Sequence, residues 1–400
     1  MTPIHVLLLE MIMAFEKPDD IIKVGTITPL TGVVALDGNE LANGIKLAEK
    51  EINECGGLGV GGKRLKLEVV YGDDQGRPEA TRSVLMRMIE SDRINVAVGH
   101  LKSAGFLAVM DLYERYRIPV IDVAAAAESI YERIAAEKLK YVFQASPAGV
   151  DITNALLEPL GYWFKPKKIA VCAENQEGGK QTGEHVRDWA SKNDVEMVTE
   201  EYVPLEETNL IPALSTIKAS GAEAIVVHLN GEGPNASLFE TLCSLKVPAV
   251  VSHIGITVTS KDFRKKYATT LEGSIAVTRF VWGKMYTSKT NSFYNRYQAM
   301  FGHPPIQWCI QAYDSLYVMA DAIQRAGSLN PGAIAKALEE SHYAGAWKKD
   351  WSFEPRTHRS RASLAVSQFQ GGELIPIWPL DIAEKFKQVP PYAWQKTESC

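Results

Sequence analysis

The chain of 400 residues lacks several features that would define a function at once. No apolar run reaches the about 18–20 residues that a bilayer-spanning helix needs. No basic block or arginine-rich face occurs, and the formal net charge is −5, so nucleic acid is not an expected partner. Cysteine is scarce. Cys55, Cys172, Cys243, Cys309 and Cys400 lie far apart with no CxxC pair, which argues against a zinc ribbon or a disulfide scaffold. Cys172 falls in an apolar strand and Cys243 and Cys309 in helical stretches, where cysteine acts as a small buried apolar residue. The odd count leaves terminal Cys400 as the expected free thiol. The eight histidines show no HExxH or other metal-ligand spacing, and there is no GxSxG elbow. No set of residues supplies nucleophile, base and orienting group, so neither an enzyme nor a cofactor is expected.

What is present is a regular alternation of strand and helix patterns from residue 22 to about 256. The opening stretch, KVGTITPLTGVVALDGNELANGIKLAEKEINECGG, sets the theme. An apolar strand (23–27) enters a polar loop holding Thr31, Gly32 and Asp37. A helix follows with Leu41, Ile45, Ala48 and Ile52 on one face and stops at Gly56-Gly57. Later strands such as AIVVHL (224–229) are apolar throughout, as in a parallel sheet covered on both faces. The alternation predicts an α/β fold of doubly wound lobes, with two passes over about 22–142 and 143–277. A helix-rich block follows, then a strand pair, 362–370 and 374–378, turned by Gly371-Gly372. The Pro-rich tail from Gln388 is expected to fray. Residues 4–15 are apolar but broken by Glu10, with no positive start or clear cleavage site, so 1–21 read as a leader remnant or a tail.

Several motifs invite a reading. GLGVGGK (57–63) matches phosphate-loop letters, but Arg64 stands where Ser or Thr is needed. The segment also follows a helix and precedes a strand, so a turn is the better reading. Asp73-Asp74 precede Pro78 at a helix start and read as capping acids. GHLKSAGF (99–106) links a strand to a helix. It puts Ser103 near the N-cap, where its hydroxyl and the N–H groups of Ala104 and Gly105 can meet a carboxylate. His228 and His253 fall at strand ends, near Asn230 and Glu232, and strand ends of open α/β sheets face ligand clefts.

Taken in order, KVGTITPLTG, GIKLAEKEINECGG, YGDDQGRPEAT, VAVGHLKSAG, IPVIDVAAA, YVFQASP, KKIAVCAEN, IPALSTIKASGAEAIVVHLNG and IQAYDSLYVMADAI resemble a known family. It is the type I periplasmic solute-binding proteins of branched-chain amino acid ABC importers, the leucine/isoleucine/valine-binding group. The likeness runs over about residues 22–380. It implies two Rossmann-like lobes joined by a three-strand hinge, crossed near 141–147, 275–282 and 352–362. The first lobe would comprise 22–142 plus 279–354, and the second 143–278 plus 355–387. It further implies a periplasmic or extracellular receptor that closes on a small molecule and docks on ABC permease subunits. A cytoplasmic amide or metabolite sensor of the same fold is the alternative.

The resemblance also suggests site residues. Ser103 matches the serine that holds a ligand carboxylate, with His100 and Ala104 beside it. Ala124 matches a small backbone donor. Asp37 stands where an aromatic residue often precedes the loop glycine. Ala126 replaces the hydroxyl residue that helps bind an α-ammonium, and Ile254 falls where its acidic partner would stand. Gly178 aligns near a tyrosine–glycine pair, with Asn175 close by. Asn230, His228 and His253 complete the candidate set. Gly76 and Lys102 occupy positions bridged as cysteines in some members. A buried ammonium without a carboxylate costs several kcal/mol, to order of magnitude. The departures at Ala126 and Ile254 therefore point to a small carboxylate without α-amino recognition, aromatic acids included. Leucine-type amino acids are the runner-up.

Overall fold

The computed structural model describes residues 21–32, 34–255, 257–278, 288–360, 364–380 and 383. The leader or tail at 1–20, the crossing within 279–287, and the C-terminal tail with Cys400 lie outside the described residues. Two α/β lobes emerge, each built on one sheet. The first sheet has the order β2 (Leu58–Val60), β3 (Lys63–Asp73), β1 (Ile21–Thr28), β4 (Val96–Gly99), β5 (Val120–Asp122) and β6 (Val142–Gln144). It is parallel except for β2, which pairs antiparallel with β3. The second sheet runs β13 (Glu373–Trp378), β12 (Ala365–Gln370), β11 (Ile275–Thr278), β10 (Val250–His253), β9 (Ala224–His228), β7 (Lys168–Glu174) and β8 (Glu196–Val203). Strands β12 and β13 form the antiparallel hairpin predicted around Gly371-Gly372. Strand β9 is buried along Ala224–Val227, which explains its unbroken apolar run.

The helices follow the apolar periodicity. Helix α1 (Ala35–Glu54) buries Leu41, Ile45, Ala48 and Ile52. In the first lobe come α2 (Pro78–Arg87), α3 (Ser103–Leu107), α4 (Met110–Tyr116) and α5 (Glu128–Glu137). The helix expected after the GHLKSAGF link is two short ones, broken at Ala108–Val109, where Val109 leaves helical geometry at φ −124. The second lobe begins with α6 (Gly149–Pro159) and continues with α7 (Glu177–Lys192), α8 (Ile211–Ser220), α9 (Glu232–Leu245), α10 (Lys261–Lys266) and α11 (Ala268–Leu271). The late helices α12 (Ser288–Phe301), α13 (Gln307–Ala326) and α14 (Pro331–Glu339) return to the first lobe, where α13 packs along α1. Gly44 permits that approach, because a Cβ there would lie 2.1 Å from the Cys309 carbonyl oxygen. Buried Glu40 fastens the same junction, accepting from Tyr297 Oη at 2.8 Å and Ile306 N at 3.2 Å.

The phosphate-loop letters at 57–63 prove to be strand β2 and its turn into β3, with Gly61 and Gly62 at positive φ. Asp73 and Asp74 serve loops. Asp73 accepts from the Leu30 and Gln75 N–H groups and the Thr31 hydroxyl, and Asp74 from Gly76 N and Thr81 Oγ1. Cysteine departs from expectation at one place. Cys55, Cys172 and Cys309 are free, whereas Cys243 is disulfide-bonded.

The chain leaves the first sheet after Gln144 and enters the second lobe at α6. At this passage it is paired with the later segment 358–360. Gln144 N donates to His358 O at 2.9 Å and Ser360 N to Gln144 O at 2.8 Å. Buried Arg359 lies 4.9 Å over the Tyr131 ring of α5 and 3.5 Å from the Asp151 carboxylate of α6, so it touches both lobes.

Candidate functional site

The C-terminal ends of the strands in both sheets face one cleft between the lobes, a cavity of about 420 Å³. Nine of the twelve candidate residues line it: Asp37, Ser103, Ala104, Ala124, Ala126, Gly178, His228, Asn230 and Ile254. The other three do not. His100 is buried behind the wall at φ +70, its Nε2 2.8 Å from Tyr113 Oη. His253 is fully buried, with Nε2 on Asn235 Oδ1 and Nδ1 3.1 Å from Gly255 O. The strand-end position put its backbone near the cleft, but strand alternation turned its side chain into the core. Asn175 gives its N–H to Val203 O and is exposed, and Gln176, Glu177 and Gly178 form the wall instead.

The first-lobe wall is built from two strand-end loops that hold each other. Ser103 is the first residue of α3, and Lys102 occupies the cap position without a side-chain cap bond. The Ser103 hydroxyl oxygen accepts from Ala126 N at 3.2 Å and Ala127 N at 3.1 Å. Both of its accepting directions are thus taken, and its own O–H makes no hydrogen bond among the described residues. The Ala124 N–H, the expected ligand donor, goes to His100 O at 3.2 Å, so Ala124 offers the cleft a methyl group. Beneath them, fully buried Asp122 accepts from Ala125 N at 3.1 Å, and Gln144 donates to Ala125 O at 2.9 Å. Burial pushes the Asp122 carboxyl well up, against the Ala125 and Ala124 N–H groups that pull it down.

The second-lobe wall is made of side chains held by side chains. Buried Glu174, at the end of β7, accepts from the backbone N of Asn230 at 2.7 Å and from its amide at 2.9 Å. His228 Nδ1 lies 2.7 Å from Thr182 Oγ1, which donates to Gly178 O at 3.0 Å. Burial and then the nearby Lys102 charge lower the His228 pKa to about 4, so the ring is neutral at pH 7. Leu101, Ile152, Leu205, Ile254 and Trp308 supply apolar and aromatic lining. The two acids of the lining each have protein partners: Glu177 takes Ser129 Oγ and Gln181 Nε2, and Asp37 is likewise engaged.

At the rim the lobes touch. Glu128 of α5 lies 2.9 Å from His185 Nε2 of α7 and accepts from Val150 N at 2.9 Å. Ser129 donates to Glu177 at 3.3 Å. Among the described residues, no group of His, Cys, Asp and Glu is arranged to hold a metal ion, and no helix is long and apolar enough to cross a membrane. Sequence reasoning missed Lys102, Ile152, Thr182 and Trp308 as cleft residues. Lys102 adjoins Ser103 at a strand end, and Thr182 stands four residues after Gly178 on one helix face. Ile152 follows the first crossing in the opening turn of α6, and Trp308 reaches the cleft only through the return of a distant helix.

Two lobes, each offering strand ends to a shared cleft that is lined for a small molecule, define a two-lobed solute-binding protein. The model of the periplasmic binding protein family matches residues 21–373, and the chain belongs to that family. A Leu/Ile/Val-binding protein homologue of Brucella abortus (strain 2308) is 24% identical over 374 residues, covering 90% of this chain and 91% of the relative. A solute-binding protein of an R. palustris ABC transporter, solved with benzoate, superposes with a TM-score of 0.78 at 17% identity, covering 89% of this chain and 95% of that one. The branched-chain amino acid binding protein LivJ of Streptococcus pneumoniae, solved with isoleucine, gives 0.77 at 20% identity, covering 89% and 99%. The two solved structures are solute-binding proteins of transporters, and the sensor reading finds no support among these relatives.

Proposed function

We propose that the protein is the external solute receptor of an ABC importer, and that its solute is a small carboxylate enclosed between the lobes. The observation that carries this reading is the Ser103 hydroxyl. Two backbone N–H groups saturate its oxygen, and its remaining proton is free for an acceptor in the cleft. The apolar lining suits the solute's body. Ala126 and Ile254, which the resemblance sets at the α-ammonium positions, line the cleft with apolar groups, and both lining acids have partners within the protein. An aromatic acid is therefore favoured over a branched-chain amino acid. The benzoate and isoleucine held by the two structural neighbours bracket this choice. A solute that touches both lobes stabilises the closed state by its differential affinity for it, which presents a closed receptor to permease subunits. Isothermal titration against benzoate, benzamide and leucine tests the reading. Benzoate should bind while benzamide and leucine do not; tight leucine binding with benzoate inert would sink it.

A further inference from the structure

Two groups on opposite walls of the cleft lack a protein partner of matching chemistry. The first is Lys102. It is half-buried, its stem lies over Gly76, and its ammonium makes no hydrogen bond or ion pair among the described residues. Lys102 lines the same cavity as His228 of the other lobe. Leu101, Ala124, Ile152 and Ile254 are among the apolar residues that line this cavity. A cation in the cleft with no ion-pair partner among the described residues is available to an incoming anion.

The second group is His228. Thr182 gives its hydroxyl proton to Gly178 O, so its oxygen is left to accept from the Nδ1–H of His228. A neutral imidazole with its hydrogen on Nδ1 carries a lone pair on Nε2. That nitrogen makes no hydrogen bond among the described residues and is not sealed from the cavity that the ring lines. One wall therefore offers a positive charge beside a hydroxyl proton, and the other offers a hydrogen-bond acceptor.

We infer that the solute is a hydroxy-substituted carboxylate without an amino group. Its carboxylate meets Lys102 and the Ser103 O–H on the first wall, and its hydroxyl donates to Nε2 of His228 on the second. The assignment rests on reading the cleft as the solute site. An α-ammonium sits one carbon from its carboxylate, which would place it beside Lys102, where like charges repel. A hydroxyl at the far end of the solute spans the cleft instead and ties one lobe to the other.

The test is titration calorimetry on the full chain with 4-hydroxybenzoate, benzoate, 4-hydroxybenzamide and leucine. Wild-type protein should bind 4-hydroxybenzoate more tightly than benzoate. K102M should weaken 4-hydroxybenzoate by about 10- to 100-fold, the loss of a charge-assisted contact. The same variant should leave the amide little changed, and K102R should keep most of the acid affinity. H228F should abolish the preference for the hydroxy acid over benzoate. H228Q, which keeps an acceptor oxygen, should retain it and guards against a folding defect. If K102M binds both acids as the wild type does, or H228F keeps the hydroxyl preference, the assignment fails and the proposed function stands. If the wild type binds neither acid, or leucine alone, both fail.

Discussion

The two walls of the cleft are built on different principles. On the first-lobe wall, backbone groups of the loop 122–127 are held by Asp122, Gln144, Gln311 and Ser103, so its N–H groups are mostly occupied within the protein. What it presents to a solute is a hydroxyl proton and an ammonium. On the second-lobe wall, polar side chains are braced by other buried side chains: Asn230 by Glu174, His228 by Thr182, and His253, behind the wall, by Asn235. What it presents includes a neutral imidazole that accepts hydrogen bonds and the Glu177 carboxylate. The contrast teaches that cleft chemistry is set less by which polar residues are near than by which of their atoms the fold leaves over.

The largest effect should come from the brace under the first wall. Asp122→Ala leaves the buried Ala125 N–H without an acceptor and a small void, a loss of about 2–4 kcal/mol in unfolding free energy. Asp122→Asn keeps an acceptor oxygen and resembles the neutral carboxyl that burial favours. It should cost no more than about 1 kcal/mol in a urea unfolding series. Equal losses in the two variants would mean that the carboxylate charge, not its acceptor oxygen, holds the loop.

A smaller effect should appear with pH, mostly from the second lobe. Burial lowers the pKa of His100 and His253 to about 3 and of His228 to about 4, all below the ordinary value of 6.5. The folded protein then binds fewer protons than the unfolded chain in acid. Stability from these rings is complete above pH 6.5 and is lost as pH falls toward 4. The melting temperature of solute-free protein should decline between pH 6.5 and 5, above the range where ordinary carboxylates titrate. A flat profile across that window would show that the rings take up protons without penalty.

The smallest effect should come from the rim, where the walls meet through Glu128 and His185. Glu128→Ala removes this contact and an acceptor for Val150 N, worth about 0.5–1.5 kcal/mol. Solute affinity should drop by a few fold with the rank order of solutes unchanged. A changed rank order would place Glu128 in contact with solute rather than at the lobe junction.

Much of this architecture was readable in residue order, because burial on both faces leaves an unbroken apolar signature. The run AIVVHL and the face formed by Leu41, Ile45, Ala48 and Ile52 are examples. Short strands were harder. Val142–Gln144 is three residues long, and its identity comes from the neighbours it pairs with. At the site, the strand-end rule found His228 and Asn230 but could not tell that His253, on the neighbouring strand, points inward. Trp308 was invisible because only the packing of α13 on α1 brings it to the cleft. The occupation of the Ala124 N–H by His100 O depends on loop geometry, which local residue types do not specify.

The pairing of Gln144 with His358 and Ser360 carries a consequence of another kind. Under the proposed closure, these two paired connections form a common axle about which the lobes turn. A change at the axle, at Arg359 for instance, should then alter the balance between open and closed receptor before any solute is present. Because the apparent affinity of each solute scales with the closed fraction, every solute gains or loses by the same factor. Sensitivity and selectivity are therefore adjustable at separate addresses in one chain, the first at the axle and the second at the walls.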